Sequence, residues 1–403
     1  MITNKWSPVR ILAFGFAVII ITGGILLCLP IASRNGESIP FLNAVFTATS
    51  AVCVTGLIVY DTWTQFSYFG QAVILILIQI GGLGFLTAIV GFSMLAHRRI
   101  GLGMRSVLAE SIGSTQIAGI VRIMKRILIG TAVFEGTGAL LLSSRFIPKF
   151  GVGNGIWFSV FHSVSAFCNA GFDLMGILEE RSSLTLFYND PVVILTIGFL
   201  IIIGGIGFVV WNDIWECMGT KNKLCLHSKV AIFSTLILIV GGTVFFLCSE
   251  SGGVLLKMTP GDKVLSAFFQ SVTPRTAGYN SIDIASLSEA GKAFTMLLML
   301  IGAAPGGTGG GIKVTTAAVI GATALSALRM REPSIGHFRI AAYTVRRAMC
   351  GTFVYLIQGM IGIMILCLQG IHFTDACFEC LSAIGTVGLT TGITGGLPAI
   401  SKL

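Results

Sequence analysis

One glycine recurs four times in this chain, at Gly56, Gly171, Gly278 and Gly388, with spacings of 115, 107 and 110 residues. Each ends a short, weakly polar run: Ser50-Ala-Val-Cys-Val-Thr-Gly56-Leu57, Ser165-Ala-Phe-Cys-Asn-Ala-Gly171-Phe172, Val272-Thr-Pro-Arg-Thr-Ala-Gly278-Tyr279 and Ser382-Ala-Ile-Gly-Thr-Val-Gly388-Leu389. Ten residues before each glycine stands a phenylalanine: Phe46, Phe161, Phe268 and Phe378. Four matches in phase imply one structural unit used four times. The copies share a backbone segment rather than a set of reactive side chains, so the backbone is expected to be the working part.

The unit is built for a membrane. The chain is 54% hydrophobic and 11% charged, where a soluble protein carries about 25% charged residues. Apolar runs at 9–30, 68–96, 122–142, 191–211, 230–248, 293–328 (interrupted) and 348–371 approach or exceed the ~20 residues of a helical span. The ~10-residue alternation of a transmembrane barrel does not occur. No small-residue cleavage site follows the first run, which is read as a retained span and not a signal peptide.

The net charge of +9 does not point to nucleic acid, because of where the charges fall. Lys5 and Arg10 with the basic residues of 98–126, 221–229 and 329–347 make up 16 of the 26 lysines and arginines. By the positive-inside rule these segments and the N-terminus are cytoplasmic. Most acidic residues, among them Asp61, Asp173, Asp283 and Glu379, occupy the alternate segments. These share the outer side with the recurring glycines, and an acidic outer face favours cations near a mouth. The five tryptophans (Trp6, Trp63, Trp157, Trp211, Trp215) fall near predicted span ends, as interfacial residues do.

Between paired spans lie segments too short and polar to cross: 41–57, 154–172, 262–279 and 374–389. The order is span (M1), re-entrant loop, span (M2), repeated. Irregular backbone at membrane depth is tolerated only where it is buried or lines a water-filled cavity. Four loops that each return to their own side can converge on one axis and make a pore. Residues 41–50, 154–166, 262–271 and 374–383 are predicted to be short helices with their negative C-terminal ends aimed inward. The next five residues are expected to run extended and stack carbonyl oxygens along the axis, as in rings that replace the hydration shell of potassium. Glycine permits the angles and the close approach this needs. Thr386-Val-Gly-Leu389 is close to the first part of the potassium-channel TVGYG signature.

A second repeat sits in M2. Ile80-Gly-Gly-Leu-Gly-Phe85 and Ile203-Gly-Gly-Ile-Gly-Phe208 match closely, and close helix packing by small residues accounts for both. The third copy, Ile301-Gly-Ala-Ala-Pro-Gly-Gly-Thr-Gly-Gly-Gly311-Ile-Lys313, contains seven helix breakers. At ~1 kcal/mol per glycine and ~3 for proline no continuous helix survives there. The span is expected to break beneath the filter, with Gly302, Ala303, Ala304, Pro305, Gly306, Gly307, Thr308, Gly309, Gly310, Gly311 and Lys313 forming a segment able to occlude or gate the pore. It is not a phosphate loop: Ile312 separates Gly311 from Lys313, Val314 replaces the hydroxyl, and no soluble strand precedes it.

Arg275, three residues before Gly278, is at first sight misplaced in a cation pore. It is read as bracing the loop from behind, against helix ends or a carboxylate, with electrostatic tuning of the pore as the alternative. Glu135 either pairs with a basic group or snorkels. Cys377 and Cys380 form a CxxC without a second pair or nearby histidines, which fits packing better than metal or redox chemistry. Nothing forms a catalytic constellation, so a transport protein is expected, not an enzyme, with no cofactor of its own.

These residues resemble the Ktr/Trk/HKT superfamily of cation transporters. The four M1–loop–M2 repeats, one glycine per filter, TPRTAGYNS at 273–281 and APGGTGGGIK at 304–313 carry the likeness, which is nearest the KtrB type of membrane subunit and covers essentially the whole chain. The resemblance implies an all-α polytopic membrane protein, its repeats in pseudo-fourfold order around one pore: 1–96, 97–216, 217–328 with the broken M2, and 329–403 with M1 and pore loop only. It implies K+ uptake through filters at Val54-Thr55-Gly56, Asn169-Ala170-Gly171, Thr276-Ala277-Gly278 and Thr386-Val387-Gly388, with 302–313 as an intramembrane gate. It further implies a homodimer in the cell membrane, a cytoplasmic RCK-type (KTN, KtrA-like) regulatory subunit that binds ATP/ADP or NAD(H), and uptake that is commonly Na+-dependent. The family pattern has a fourth M2 after the last filter. Fifteen residues follow Gly388 here, too few to span ~30 Å at 1.5 Å per residue, so a truncated fourth repeat is expected. A non-transporting remnant and an alternating-access carrier are the rival readings. Inverted repeats would favour the carrier, and the four loops enter from the same side.

Overall fold

The computed structural model describes residues 8–84, 87, 90, 119–220 and 223–402. It is helical almost throughout, with one two-stranded hairpin, β1 (Ser334–Ile335) and β2 (Phe338–Arg339), paired antiparallel. Among the described residues four helices are long and apolar enough to cross a membrane, over Arg10–Cys28, Ile120–Phe150, Leu226–Glu250 and Ala342–Leu368. They belong to α1 (Pro8–Cys28), α4 (Ile120–Phe150), α8 (Leu226–Glu250) and α12 (Ala342–Leu368). The chain is therefore a multi-pass membrane protein.

Each long helix is followed by a shorter one that leads into a glycine: α2 (Phe41–Val52), α5 (Val152–Phe167), α9 (Pro260–Val272) and α13 (Phe373–Gly385). These match the predicted pore helices to within two residues at either end. Their starts follow local chemistry. Thr259 caps α9, its hydroxyl accepting from the Asp262 amide at 3.3 Å, with Pro260 in the first turn, where the missing amide costs nothing. Glycines let each pore helix lie close to the long helix before it: a side chain at Gly138 would strike the Ser163 hydroxyl and Leu200, and one at Gly242 the Ser271 hydroxyl.

The second helix of each pair is shorter than the apolar runs predict. The run 68–96 forms α3 (Tyr68–Leu83), which stops at Gly84 with φ +76°; residues 85–86, 88–89 and 91–96 lie outside the described residues. The run 191–211 forms α6 (Pro191–Gly205), then bends by 90° into α7 (Phe208–Thr220). The run 293–328 forms α10 (Glu289–Leu300) and α11 (Val314–Leu328), with 301–313 non-helical between them as predicted. All three motifs break their helix, so close packing alone understates the first two. It is also present. The place of a Gly81 side chain is taken by the Val52 carbonyl that ends α2, and that of a Gly204 side chain by the Phe167 carbonyl that ends α5.

Candidate functional site: a ring of four glycine-ended loops

The four loops after the pore helices share one backbone form. The residue two before each glycine is left-handed: Val54 (φ +56°), Asn169 (+59°), Thr276 (+75°) and Thr386 (+52°). Each glycine is left-handed too, at +86°, +70°, +80° and +89°. Thr55, Ala170, Ala277 and Val387 between them keep negative φ. The segments are thus not the extended strands expected from the sequence but alternate in hand. A left-handed non-glycine residue costs ~1–3 kcal/mol and persists only where its surroundings impose it; four at equivalent positions are a built feature.

What imposes it is partly the pore helix. The Thr55, Ala170 and Val387 amides donate to the Ser50, Ser165 and Ser382 carbonyls at 2.7, 2.7 and 2.8 Å, and the Ala277 amide donates to Thr273 at 3.0 Å. Side chains reinforce the turns. Ser165 Oγ donates to the Phe172 carbonyl at 2.7 Å, Thr273 Oγ1 donates to the Tyr279 carbonyl at 2.6 Å, and Ser382 Oγ accepts from the Gly388 amide at 3.1 Å. The Tyr279 hydroxyl donates to the Phe172 carbonyl at 3.0 Å and couples the second and third loops.

The rest is imposed by the neighbouring loops, which close on one another. A Cβ added to Gly56 would stand 2.6 Å from the Ala170 carbonyl oxygen, one on Gly171 2.6 Å from that of Ala277, and one on Gly278 2.6 Å from that of Val387. A Cβ on Gly388 would meet the Thr55 oxygen, returning to the first loop. The order one, two, three, four, one is a ring. A cavity of about 170 Å³ over it is lined by all four glycines.

The 301–313 segment lies directly against this ring. Its ends zip together, with the Gly302 amide donating to the Ile312 carbonyl at 2.9 Å and the Ile312 amide to Leu300 at 3.3 Å. Gly309 and Gly310 abut the Thr276 and Thr386 hydroxyls, the latter accepting from the Gly310 amide at 3.0 Å. Thr308 Oγ1 donates to the Phe167 carbonyl at 3.2 Å. Across the α6–α7 elbow, the Ala304 amide donates to Gly205 at 2.9 Å, the Thr308 amide to Gly204 at 3.2 Å, and the Phe208 amide to Gly306 at 2.9 Å. Gly207 (φ +96°) leaves room for the Pro305 carbonyl. Lys313, the residue before α11, folds back so that Nζ donates to the Gly309 carbonyl at 2.6 Å. The segment from Gly302 to Gly311 with Lys313 is thus one compact loop, seated on the elbow formed by the second glycine motif.

Arg275 is buried and turns toward α8, where Nη2 donates to the Thr235 hydroxyl at 3.2 Å. Among the described residues no carboxylate pairs with it. Glu135, on α4, pairs with no basic group among the described residues and accepts from Gln79 Nε2 at 3.2 Å. Cys380 packs with Ile363 and Leu366 of α12. Sequence reasoning did not find the elbow as a seat for the loop, the Tyr279–Phe172 bond, or Arg181 in the wall of the cavity over the ring. The first had a signal, since the Gly-Gly-Ile-Gly run aligns with the broken third copy. The others are long-range contacts with no local pattern.

The model of the TrkH family, described as cation transport protein, matches residues 15–403. The potassium/sodium uptake protein NtpJ of Enterococcus hirae is 43% identical, aligned over 100% of this chain and 89% of its own length. The Ktr system potassium uptake proteins B of Bacillus subtilis and Vibrio alginolyticus are 40% and 35% identical, each over 99% of this chain and over 88% and 87% of their own lengths. The crystal structure of the potassium transporter TrkH from Vibrio parahaemolyticus superposes with a TM-score of 0.74 at 17% identity, over 99% of this chain and 81% of that one. It shows that the fold is shared.

Proposed function

Because this chain belongs to the TrkH family of cation transport proteins, whose members named above are transporters and not enzymes, we propose that it takes up K+ through a channel-like pore. The observation that carries this reading is the ring in which each recurring glycine faces the carbonyl oxygen before the next. Alternation of backbone hand suits the stacking of carbonyl oxygens toward one axis, where they replace an ion's water shell. The four C-terminal helix ends behind the ring add negative potential. The ion is substrate here, and entry is driven by the membrane potential at ~2.3 kcal/mol per charge per 100 mV.

The filter residues are Val54, Thr55 and Gly56, Asn169, Ala170 and Gly171, Thr276, Ala277 and Gly278, and Thr386, Val387 and Gly388. Gly302 to Gly311 with Lys313 is the gate, because it abuts the Thr276 and Thr386 hydroxyls. Arg275 braces the third filter from behind. The relatives' names support further parts of the reading. Two belong to a Ktr system, which favours a partner subunit; we assign it as a cytoplasmic RCK-type protein binding ATP/ADP or NAD(H), acting on a homodimer of this chain. One is a potassium/sodium uptake protein, which favours a role for Na+. The N-terminus is cytoplasmic.

The test is cation flux into vesicles containing the full chain. Currents of single-channel size, a K+/Na+ preference altered by Gly278→Ser, and flux raised by shortening 303–311 are expected. Absence of gradient-driven flux, or flux and selectivity indifferent to both changes, rejects the reading.

A further inference from the structure

The cavity over the glycine ring has three charged side chains in its wall: Asp173, Asp283 and Arg181. Asp173 and Asp283 share this wall with Thr390 and Thr394, whose hydroxyls donate to the Glu379 carboxylate behind them; such oxygen-rich surroundings are what hard divalent cations prefer. Arg181 opposes them. Its main chain is left-handed (φ +60°), and its amide donates to Asp61 Oδ2 at 3.1 Å. Its Nη2 donates to the Val59 carbonyl at 3.1 Å, and its guanidinium covers Gly395, whose added Cβ would stand 2.9 Å from it. Arg181 follows the second filter, Val59 the first and Gly395 the fourth. The guanidinium is therefore fastened across three of the four outer walls. Among the described residues it makes no ion pair with either carboxylate of the cavity, so contact does not cancel its charge.

We propose that Arg181 is a specificity-determining residue that denies divalent cations the outer mouth while leaving monovalent entry open. This rests on the pore reading above and adds a selectivity step outside the filter. A fixed charge acts on a divalent ion with twice the energy it exerts on a monovalent one. A sphere of the cavity's volume is roughly 7 Å across, comparable with the ~8 Å Debye length at physiological salt, so the charge of the solvent-exposed Arg181 reaches an ion there and its effect weakens as salt rises. With Arg181 in place and Asp173 and Asp283 both ionised, the mouth carries two negative groups and one positive. Without it the two carboxylates face an arriving ion unopposed, and a divalent cation that lodges between them blocks the K+ path.

The test is K+ flux through the full chain in vesicles, titrated with external Ca2+ and Ba2+. Arg181→Gln keeps a donor for Val59 and removes the charge. It is expected to lower the concentration for half-block by about fivefold or more, given the doubled energy for a divalent ion, with the K+/Na+ preference unchanged. Arg181→Lys should behave as the unmodified protein. Equal block in Arg181→Gln and the unmodified protein overturns the proposal. If Arg181→Gln fails to fold, Arg181→Cys labelled with a cationic or a neutral thiol reagent decides: restoration of divalent resistance by the cationic label alone supports it, and equal effects overturn it. An unmodified protein with no K+ flux defeats the pore reading itself, whereas K+ flux with charge-independent block defeats only the role of Arg181.

Discussion

The carbonyl oxygen of Thr55 stands where a side chain on Gly388 would be, so the first and last loops meet here backbone to backbone. This contact closes the ring. Without it the other three glycine–carbonyl contacts would form an open arc. The fourth of the four loop sequences thus meets a residue from the other end of the chain.

Gly278→Ser is expected to shift the K+/Na+ preference by roughly tenfold or more, the equivalent of ~1.4 kcal/mol. Its Cβ meets the Val387 oxygen at 2.6 Å in a left-handed conformation. Reversal potentials under mixed gradients measure it, and an unchanged ratio removes this carbonyl contact from selectivity.

Thr308→Val keeps the volume and loses the hydroxyl that donates to the Phe167 carbonyl. A hydrogen bond is worth a net ~0.5–1.5 kcal/mol. If the seated loop is the closed gate, flux should rise severalfold while selectivity stays constant. Reduced or unchanged flux shows that this loop position does not limit conduction.

Gly204→Ala tests the seat beneath the loop. Its methyl group would collide with the Phe167 backbone carbonyl, which no rotamer change can relieve. Overpacking of this kind costs typically 1–3 kcal/mol, so a lower melting temperature in detergent is expected. Gly241→Ala, which meets nothing within 4 Å, should melt as the unmodified protein does.

Arg275→Gln separates bracing from tuning. The guanidinium contacts Thr235 behind the third loop. A brace predicts lost thermal stability with little change in selectivity. The opposite pattern, altered selectivity at normal stability, assigns Arg275 to the field of the pore.

Asp173 predicts a dependence on external pH. Desolvation first, and the Asp61 carboxylate second, push its carboxyl up to about 7 in the turn after Gly171. A carboxyl with a raised value is neutral below it and charged above it. The mouth therefore gains negative charge as external pH rises through 7, and K+ flux at low external K+ should rise with it. The same shift means that the folded protein holds a proton the unfolded chain releases, so this group's contribution to stability falls as pH rises from about 4 to about 7. Asp173→Asn should flatten the flux profile; a profile unchanged in that variant assigns the titration elsewhere.

How much was legible in the sequence varies with the range of the interaction. The pore helices were placed to within two residues because apolar length, polar starts and terminal glycines are local signals. The broken third M2 was legible because seven breakers in one span leave the helix no alternative. The bend at Gly205–Phe208 was not, since two adjacent glycines and a third are equally compatible with close packing; the difference came from the Pro305 and Gly306 carbonyls that occupy the gap. Nor was the left-handed form of Val54, Thr276 and Thr386, where the β-branched side chain argues against it and neighbouring loops impose it; at Asn169, the fourth, residue type tolerates it.

The sequence by itself determined that this chain crosses a membrane, that four glycine-ended loops recur in it, and that one span is broken. Those properties follow from hydrophobicity and backbone entropy along a few tens of residues. Only the tertiary structure decided that the four glycines form a closed ring, that the broken segment is seated against it on the second glycine motif, that Arg275 meets Thr235 and not a carboxylate, and that Arg181 lines the cavity over the ring. Each is a contact between distant parts of the chain, and burial together with mutual exclusion of volume selects one arrangement from many that the local pattern permits.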